Sequence, residues 1–197
     1  EGPAWESEVI EAFTLHESAG NPADICAHYT KLNLIKCVHN NLALHGPDKG
    51  DEGIIYLAED KDTGHKIELV VNAVSAYDPF SPRMNGITGE FGTLNIHSGS
   101  SVKVMFHVRD AHTKDPVTKR YFSLTFFDLD QGLSETSRES VTVGNFMTFA
   151  LSDDVNPSED SEVNVVTNPD GSRTFKSSTF GTGEDNPKHP GKLNKKQ

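Results

Sequence analysis

The sequence has few basic residues and no long hydrophobic run. It carries 18 Lys and Arg against 29 Asp and Glu, which gives a formal net charge of −11. Nucleic acids and anionic membrane surfaces select for clustered Lys and Arg, so we expect no nucleic acid as a partner. A transmembrane helix needs about 20 consecutive apolar residues. No such run occurs, so we also expect no membrane insertion.

Sequence motifs that identify an enzyme are also absent. The chain has no GxSxG nucleophile elbow, no phosphate-binding P-loop, no dinucleotide glycine fingerprint and no HExxH zinc motif. A polysaccharide hydrolase would need two carboxylates across a cleft, and no pair of the many acidic residues is singled out by its spacing. We therefore expect a non-enzymatic protein and keep a polysaccharide hydrolase as an alternative.

Cysteine is scarce, with Cys26 and Cys37 as the two examples. Their spacing fits neither a CxxC redox pair nor a usual zinc finger, although His28 and His39 each follow a cysteine by two residues. A disulfide between the two cysteines is the favoured interpretation, with a zinc site or two unpaired buried thiols as alternatives. A disulfide would indicate an extracellular location or an oxidising lumen. The first residue is Glu rather than Met, so we also expect a processed N-terminus.

What the sequence does have is a series of short apolar segments separated by turn residues. Segment 102–108 alternates valine or phenylalanine with other side chains, which is typical of a strand with one buried face. Further strands are predicted at 54–57, 67–74, 121–127, 141–143, 146–151, 163–167 and 173–180. Short strands with Gly- and Pro-containing turns and hardly any helix predict an all-β fold, a two-sheet antiparallel β-sandwich of jelly-roll type.

The predicted organisation has three parts. Residues 1–50 form an N-terminal extension, residues 51–182 form the β-sandwich domain, and residues 183–197 form a basic C-terminal tail. A short helix is expected near 22–33, because Asn21 resembles an N-cap and is followed by proline. The basic tail could lie on an acidic surface of its own chain or of a neighbouring molecule.

An acidic loop is the first candidate site. A predicted strand ends in Asp128 and Asp130, and alternation along a strand places both carboxylates on one face. A divalent cation would remove their repulsion, and calcium takes six to eight oxygen ligands. Glu135 and Glu139 follow, and the spacing matches only part of an EF-hand loop, so an EF-hand is excluded. Calcium is therefore a candidate cofactor bound by these four residues. The alternative is a metal-free loop in which Asp accepts backbone N–H groups.

A second candidate site is the breaker-rich loop at 78–92 and the residue before it. Tyr77 and Asp78 begin this region, and Asn85 and Glu90 lie within it. Aromatic faces that stack on sugar C–H groups, beside side chains that hydrogen-bond hydroxyls, are typical of glycan binding. The alternative is a packed loop whose aromatic residues close one end of the sandwich, because large aromatic side chains are mostly buried.

The order of these features resembles a known class of proteins. The alternating strand at 102–108, the Asp-Pro turn at 115–116, the strand ending in Asp-x-Asp and the later Glu139 are similar to jelly-roll, lectin-like modules. Such modules occur in extracellular adhesins and in secreted proteins of microbes and algae. The resemblance covers roughly residues 65–180. It implies a binding or assembly module whose acidic loop holds calcium, and Asp128, Asp130 and Glu139 are the residues that carry over.

These observations lead to two expectations about function. The first is a secreted or lumenal binding module that is stabilised by calcium and binds a glycan through its loops. The second is a structural subunit that docks through residues 1–50 and the basic tail onto another protein or onto copies of itself. The expected partner is therefore a glycan or a protein.

Overall fold

The computed structural model describes residues 32–61, 63–117, 123–132, 138–146, 148–151, 163–181 and 188. The strands in this part of the chain are β1 (Leu32–Asn41), β2 (Gly53–Asp60), β3 (Lys66–Ala73), β4 (Gly86–Thr88), β5 (Phe91–Thr93), β6 (Val104–Asp110), β7 (Ser140–Val143), β8 (Val163–Thr167) and β9 (Arg173–Ser177). Short 3-10 turns lie at Leu42–Leu44 and Pro82–Met84. The fold is all-β with antiparallel sheets, as the sequence predicts.

The strands of the described residues form three sheets. A four-stranded sheet has the order β1-β2-β3-β6, a two-stranded sheet consists of β4 and β5, and a three-stranded sheet has the order β7-β9-β8. The turn between β8 and β9 is the predicted one at 168–171. There the Asn168 N–H donates to the Ser172 carbonyl at 2.9 Å, and Gly171 takes a positive φ of 85°.

The main core lies on one face of the four-stranded sheet. Alternation along β2 and β3 directs Ile54, Tyr56, Leu69 and Val71 to this face, where each is at most 5% exposed. Residues from outside the sheet complete this core, namely Leu42 from the first 3-10 turn, Tyr77 from the loop after β3, and Ile87 and Leu94 from the β4–β5 region. The loop that carries the second candidate site is therefore packed against the sheet.

Some local expectations differ from the structure. Residues 123–127 form no strand, and Leu124 and Phe126 are 40% and 43% exposed, so the expected strand covered on both faces is wrong over this stretch. Aromatic and β-branched composition favours a strand, but a strand also needs neighbouring strands to pair with. Among the described residues, segment 123–132 pairs only through single bridges from Gln131 to Arg138 and to Phe180.

The N-terminal region is described from residue 32 onward. The helix expected near 22–33 lies almost wholly outside the described residues, and its last two positions belong to β1. Strand β1 falls in the range predicted as an extension, and it pairs with β2 from Leu32 to Asn41, with two register shifts. The domain boundaries stay a prediction, and most of the basic tail lies outside the described residues.

Candidate functional site

A buried polar network around Asn85 holds the loop between β3 and β6. Oδ1 of Asn85 accepts the N–H of Asn95 at 2.7 Å, and its Nδ2 donates to the Tyr77 hydroxyl at 2.9 Å. That hydroxyl donates to the Asn95 carbonyl at 2.5 Å. Tyr77 and Asn85 are 5% and 7% exposed. The structure therefore brings two of the predicted ligand-binding residues together inside the protein, as the packed-loop alternative describes.

The network is tied to the end of β1. Nδ2 of Asn40 donates to the carbonyls of Asn85 and Pro82, at 3.0 and 3.2 Å. The N–H of Asn40 donates to a carboxylate oxygen of Asp48 at 2.6 Å. A Cβ added at Gly46 would overlap the Asn40 carbonyl, so this turn requires glycine. These contacts fix the position of the loop relative to the four-stranded sheet.

The outer side of the same loop carries an exposed cluster of Asp78, Phe80 and His97. The Phe80 and His97 rings are nearly parallel, 5° apart in plane, with centroids separated by 6.3 Å. A carboxylate oxygen of Asp78 lies 3.2 Å from Nδ1 of His97. The His97 N–H also donates to the Asp78 carbonyl at 2.9 Å, which holds the two segments together. We call these three residues the Phe80 cluster.

The Phe80 cluster combines an open aromatic ring with polar groups. Phe80 is 72% exposed, and the side chains of Asp78 and His97 are 68% and 52% exposed. An exposed aromatic face can stack on the C–H surface of a sugar. A carboxylate and an imidazole at its edge can hydrogen-bond sugar hydroxyls. Of the predicted ligand-binding residues, Asp78 is therefore available on this surface.

Glu90 occupies a different part of the loop region. It is exposed in the turn between β4 and β5, where its N–H donates to the carbonyl of Lys188 at 3.2 Å. A Cβ added at the preceding Gly89 would overlap that carbonyl, so glycine is required for this approach. The structure assigns Glu90 a place beside Lys188.

The acidic loop is organised by backbone hydrogen bonds. The N–H of Glu139 donates to the Asp130 carbonyl at 2.9 Å, and the Ser177 hydroxyl donates to the same carbonyl at 2.8 Å. Asp128 has a left-handed φ of 63°. A Cβ added at Gly181 would overlap the Asp130 carboxyl group, so backbone closely covers that carboxylate. The sequence-predicted pair Asp130 and Glu139 is thus brought together.

The arrangement of charge in this loop bears on the predicted calcium site. Partial burial raises the pKa of Glu139, a hydrogen bond from the Asp130 N–H opposes the shift, and the nearby Asp130 carboxylate adds to it. Within the described residues, no group of three His, Cys, Asp or Glu side chains could hold a metal ion. Glu135 lies outside these residues. The calcium site stays a prediction.

Replacing Glu139 distinguishes a metal-free loop from a calcium site. In the metal-free loop, Glu139→Gln should raise the unfolding midpoint at pH 7 by about 1–2 °C, because it removes repulsion between partly exposed like charges. The gain should disappear as the pH falls through the raised pKa, where Glu139 is protonated. Thermal unfolding with calcium and with EDTA makes the measurement. If calcium raises the unfolding midpoint of the wild type but not that of the variant, the loop is instead a metal site.

Of the two cysteines in the predicted disulfide, Cys37 is among the described residues. No disulfide is seen at Cys37 within the described residues; its thiol packs against the core and donates to the His39 carbonyl at 3.1 Å. Burial raises its pKa, a hydrogen bond to His39 opposes the shift, and the negative charge of Asp48 adds to it. Cys26 lies outside the described residues, so its pairing stays a prediction.

Comparison with protein-family models, with curated proteins and with solved structures found no match for this chain. In the described part of the chain, no helix has the length and apolar composition needed to cross a bilayer.

The sequence places Phe80 beside Asp78 in the candidate loop, but the contact of both residues with His97 was not predicted. Phe80 stands two residues away, but His97 joins it from the far end of the loop, after both β4 and β5. The only local signal is an aromatic residue beside prolines in a loop. The pairing with His97 depends on the tertiary path of the chain.

Proposed function

We propose that this protein is a non-enzymatic binding module that holds a glycan against the Phe80 cluster. The exposure of Phe80, 72%, carries the proposal, because a phenylalanine side chain is usually buried when nothing binds it. Asp78 and His97 supply hydrogen-bonding groups beside the ring. The Asn85 network fixes the loop before a ligand arrives, which lowers the entropy cost of binding.

The jelly-roll-like sandwich is part of this proposal. The Phe91 and Phe127 rings pack edge to face at 4.8 Å, which connects β5 to segment 123–132. In that segment Nε2 of Gln131 donates to the Ser177 carbonyl of β9 at 3.0 Å. These contacts connect the two-stranded sheet to the three-stranded sheet, and Ile87 of β4 packs against the core of the four-stranded sheet. Together they support an arrangement in which the sheets belong to one sandwich. An extracellular or oxidising lumenal location rests on the disulfide prediction.

Replacing the exposed aromatic ring tests the proposal. In a glycan-array screen followed by titration calorimetry, we expect Phe80→Ala to weaken binding of the best glycan about 5-fold, because stacking contributes on the order of 1 kcal/mol. His97→Ala should have a smaller effect in the same direction. The unfolding midpoint should hardly change, since the ring is mostly exposed.

Phe180→Ala is the matched control, because Phe180 is 48% exposed and belongs to a different region. It should leave glycan affinity unchanged. If no glycan binds the wild type, or if Phe80→Ala binds the glycan as tightly as Phe180→Ala does, the glycan proposal is wrong. Self-association measured by light scattering would then favour the structural-subunit alternative.

A further inference from the structure

The second face of the four-stranded sheet carries a nearly buried carboxylate held by two cations. Glu68 of β3 lies directly opposite Arg109 of β6 in the strand register, and the Glu68 side chain is 8% exposed. Oε2 of Glu68 accepts a hydrogen bond from Nε of Arg109 at 2.7 Å, and Oε1 accepts one from Nζ of Lys114 at 2.7 Å. Both oxygens are thus occupied, and the guanidinium group is fixed in one orientation.

Arg109 retains binding capacity after this pairing. Only its Nε is used, and neither terminal amino group pairs with another residue in the described part of the chain. The guanidinium group presents its donors in a fixed fork that matches the two oxygens of a carboxylate. An arginine held by a nearly buried partner needs little reorganisation to bind such a group.

The groove beside Arg109 offers more than one cation. It has a volume of about 390 Å³ and is lined by Val38, Lys49, Ile55, Glu68, Arg109 and Lys114, together with His39, Gly50 and Asp51. Lys49 is exposed and makes no ion pair with another described residue. Lys49, Arg109 and Lys114 outnumber Glu68 and Asp51 at this place on a protein of net charge −11.

We propose that this groove is a binding site for a carboxylate carried singly on a small, otherwise uncharged body. Arg109 would donate two hydrogen bonds to the two carboxylate oxygens, and Lys49 would add a second positive charge. Val38 and Ile55 would contact the body of the ligand. The net charge of −11 disfavours polyanions, because a chain with many negative groups would be repelled by the rest of the surface. This site is separate from the Phe80 cluster and does not depend on the proposed glycan function.

The ligand chemistry could come from an acidic sugar or from a free organic acid. Titration calorimetry or heteronuclear NMR with glucuronate and with cyclohexanecarboxylate separates these sources, because the two carry the same group on rings that differ in hydroxyls. Methyl glucoside is the uncharged control. We expect at least one carboxylate to bind at least 10-fold more tightly than methyl glucoside, and its affinity to fall as salt is added. Equal binding of all three probes would overturn the proposal. So would the absence of carboxylate binding at probe concentrations about 20-fold above an expected Kd of about 1 mM.

Variants locate the binding in the groove. Arg109→Lys keeps the charge but removes the fork, and we expect about 10-fold weaker carboxylate binding. Lys49→Gln should weaken binding about 3-fold without affecting folding, since Lys49 is exposed. Arg173→Lys, at a partly exposed arginine of the three-stranded sheet, is the matched control and should change nothing. Binding that survives both groove variants would show that the carboxylate sits elsewhere and would refute the assignment.

Discussion

Asn85→Ala is expected to destabilise the protein by about 2–3 kcal/mol, because it leaves buried polar groups without partners. The Asn95 N–H would lose its acceptor, and the Tyr77 hydroxyl would lose its donor. The Tyr77 side chain is 5% exposed and the hydrogen bond to the Asn95 N–H is partly buried, so water replaces the lost partners poorly. Chemical denaturation of the wild type and the variant gives the free energy of unfolding directly.

Asn33→Ala is the matched control for this prediction. Asn33 is an exposed residue of β1 in the four-stranded sheet, and its replacement should change stability by no more than about 0.5 kcal/mol. Under conditions where the variant remains folded, Asn85→Ala should also weaken binding at the Phe80 cluster, since Asn85 and Asn95 connect the two ends of that loop. Equal stabilities of the two variants would mean that the buried network does not hold the loop.

Glu68→Gln is expected to cost about 1.5–3 kcal/mol at pH 7, because charge-assisted hydrogen bonds from Arg109 and Lys114 are weakened. The cost stays below that of breaking a fully buried ion pair, since the Lys114 side chain is half exposed and regains water. Glu59→Gln is the matched control on the neighbouring strand. Its partner Lys66 lies 3.2 Å away, both side chains are exposed, and about 0.5 kcal/mol or less is expected.

The lowered pKa of Glu68 predicts how the stability of the protein depends on pH. Burial opposes ionisation of Glu68, but hydrogen bonds from Lys114 and Arg109 and their positive charges outweigh it, so its pKa is lowered from 4.5. A lowered pKa in the folded state stabilises the protein above the unfolded-state value. That stabilisation is lost as the pH falls through the folded-state value. Glu68→Gln should therefore lose less stability than the wild type between neutral pH and acid, and parallel curves for the two would contradict this account.

A second group adds to acid sensitivity in both proteins. The N–H groups of Thr113 and His112, followed by the ring of His65, hydrogen-bond Asp110 and lower its pKa to about 2. Its contribution to stability is present above the unfolded-state pKa and is lost as the pH falls toward 2. Because Glu68→Gln leaves this contribution in place, the variant should show a reduced pH dependence, with part of it retained.

Strand positions were largely predictable because they depend on local alternation. The pattern of segment 102–108 predicts β6, and the residues that alternate along it are half-buried on the core side and more exposed on the other. The turn at 168–171 was equally predictable, because Asn-Pro-Asp-Gly supplies the positive φ that a tight turn needs. Segment 123–127 has the composition of a strand, but composition does not specify which neighbours are available for pairing.

The two proposed binding sites required the tertiary structure. Phe80 meets His97 because β4 and β5 return the chain to the start of the loop. Arg109 meets Glu68 because β6 pairs with β3 after a connection of about 30 residues. Neither contact has a fixed spacing in the chain, so neither could be found from sequence patterns.

The sequence by itself determined the all-β class, most strand positions in the four-stranded sheet and the acidic character that disfavours polyanionic partners. Alternation of side chains and net charge are properties of the chain, and they do not depend on which strands become neighbours. Only the tertiary structure decided that Tyr77 and Asn85 are buried while Phe80 and Asp78 are exposed. Successive loop residues can point inward or outward, and the hydrogen bonds of Asn85 select between these directions.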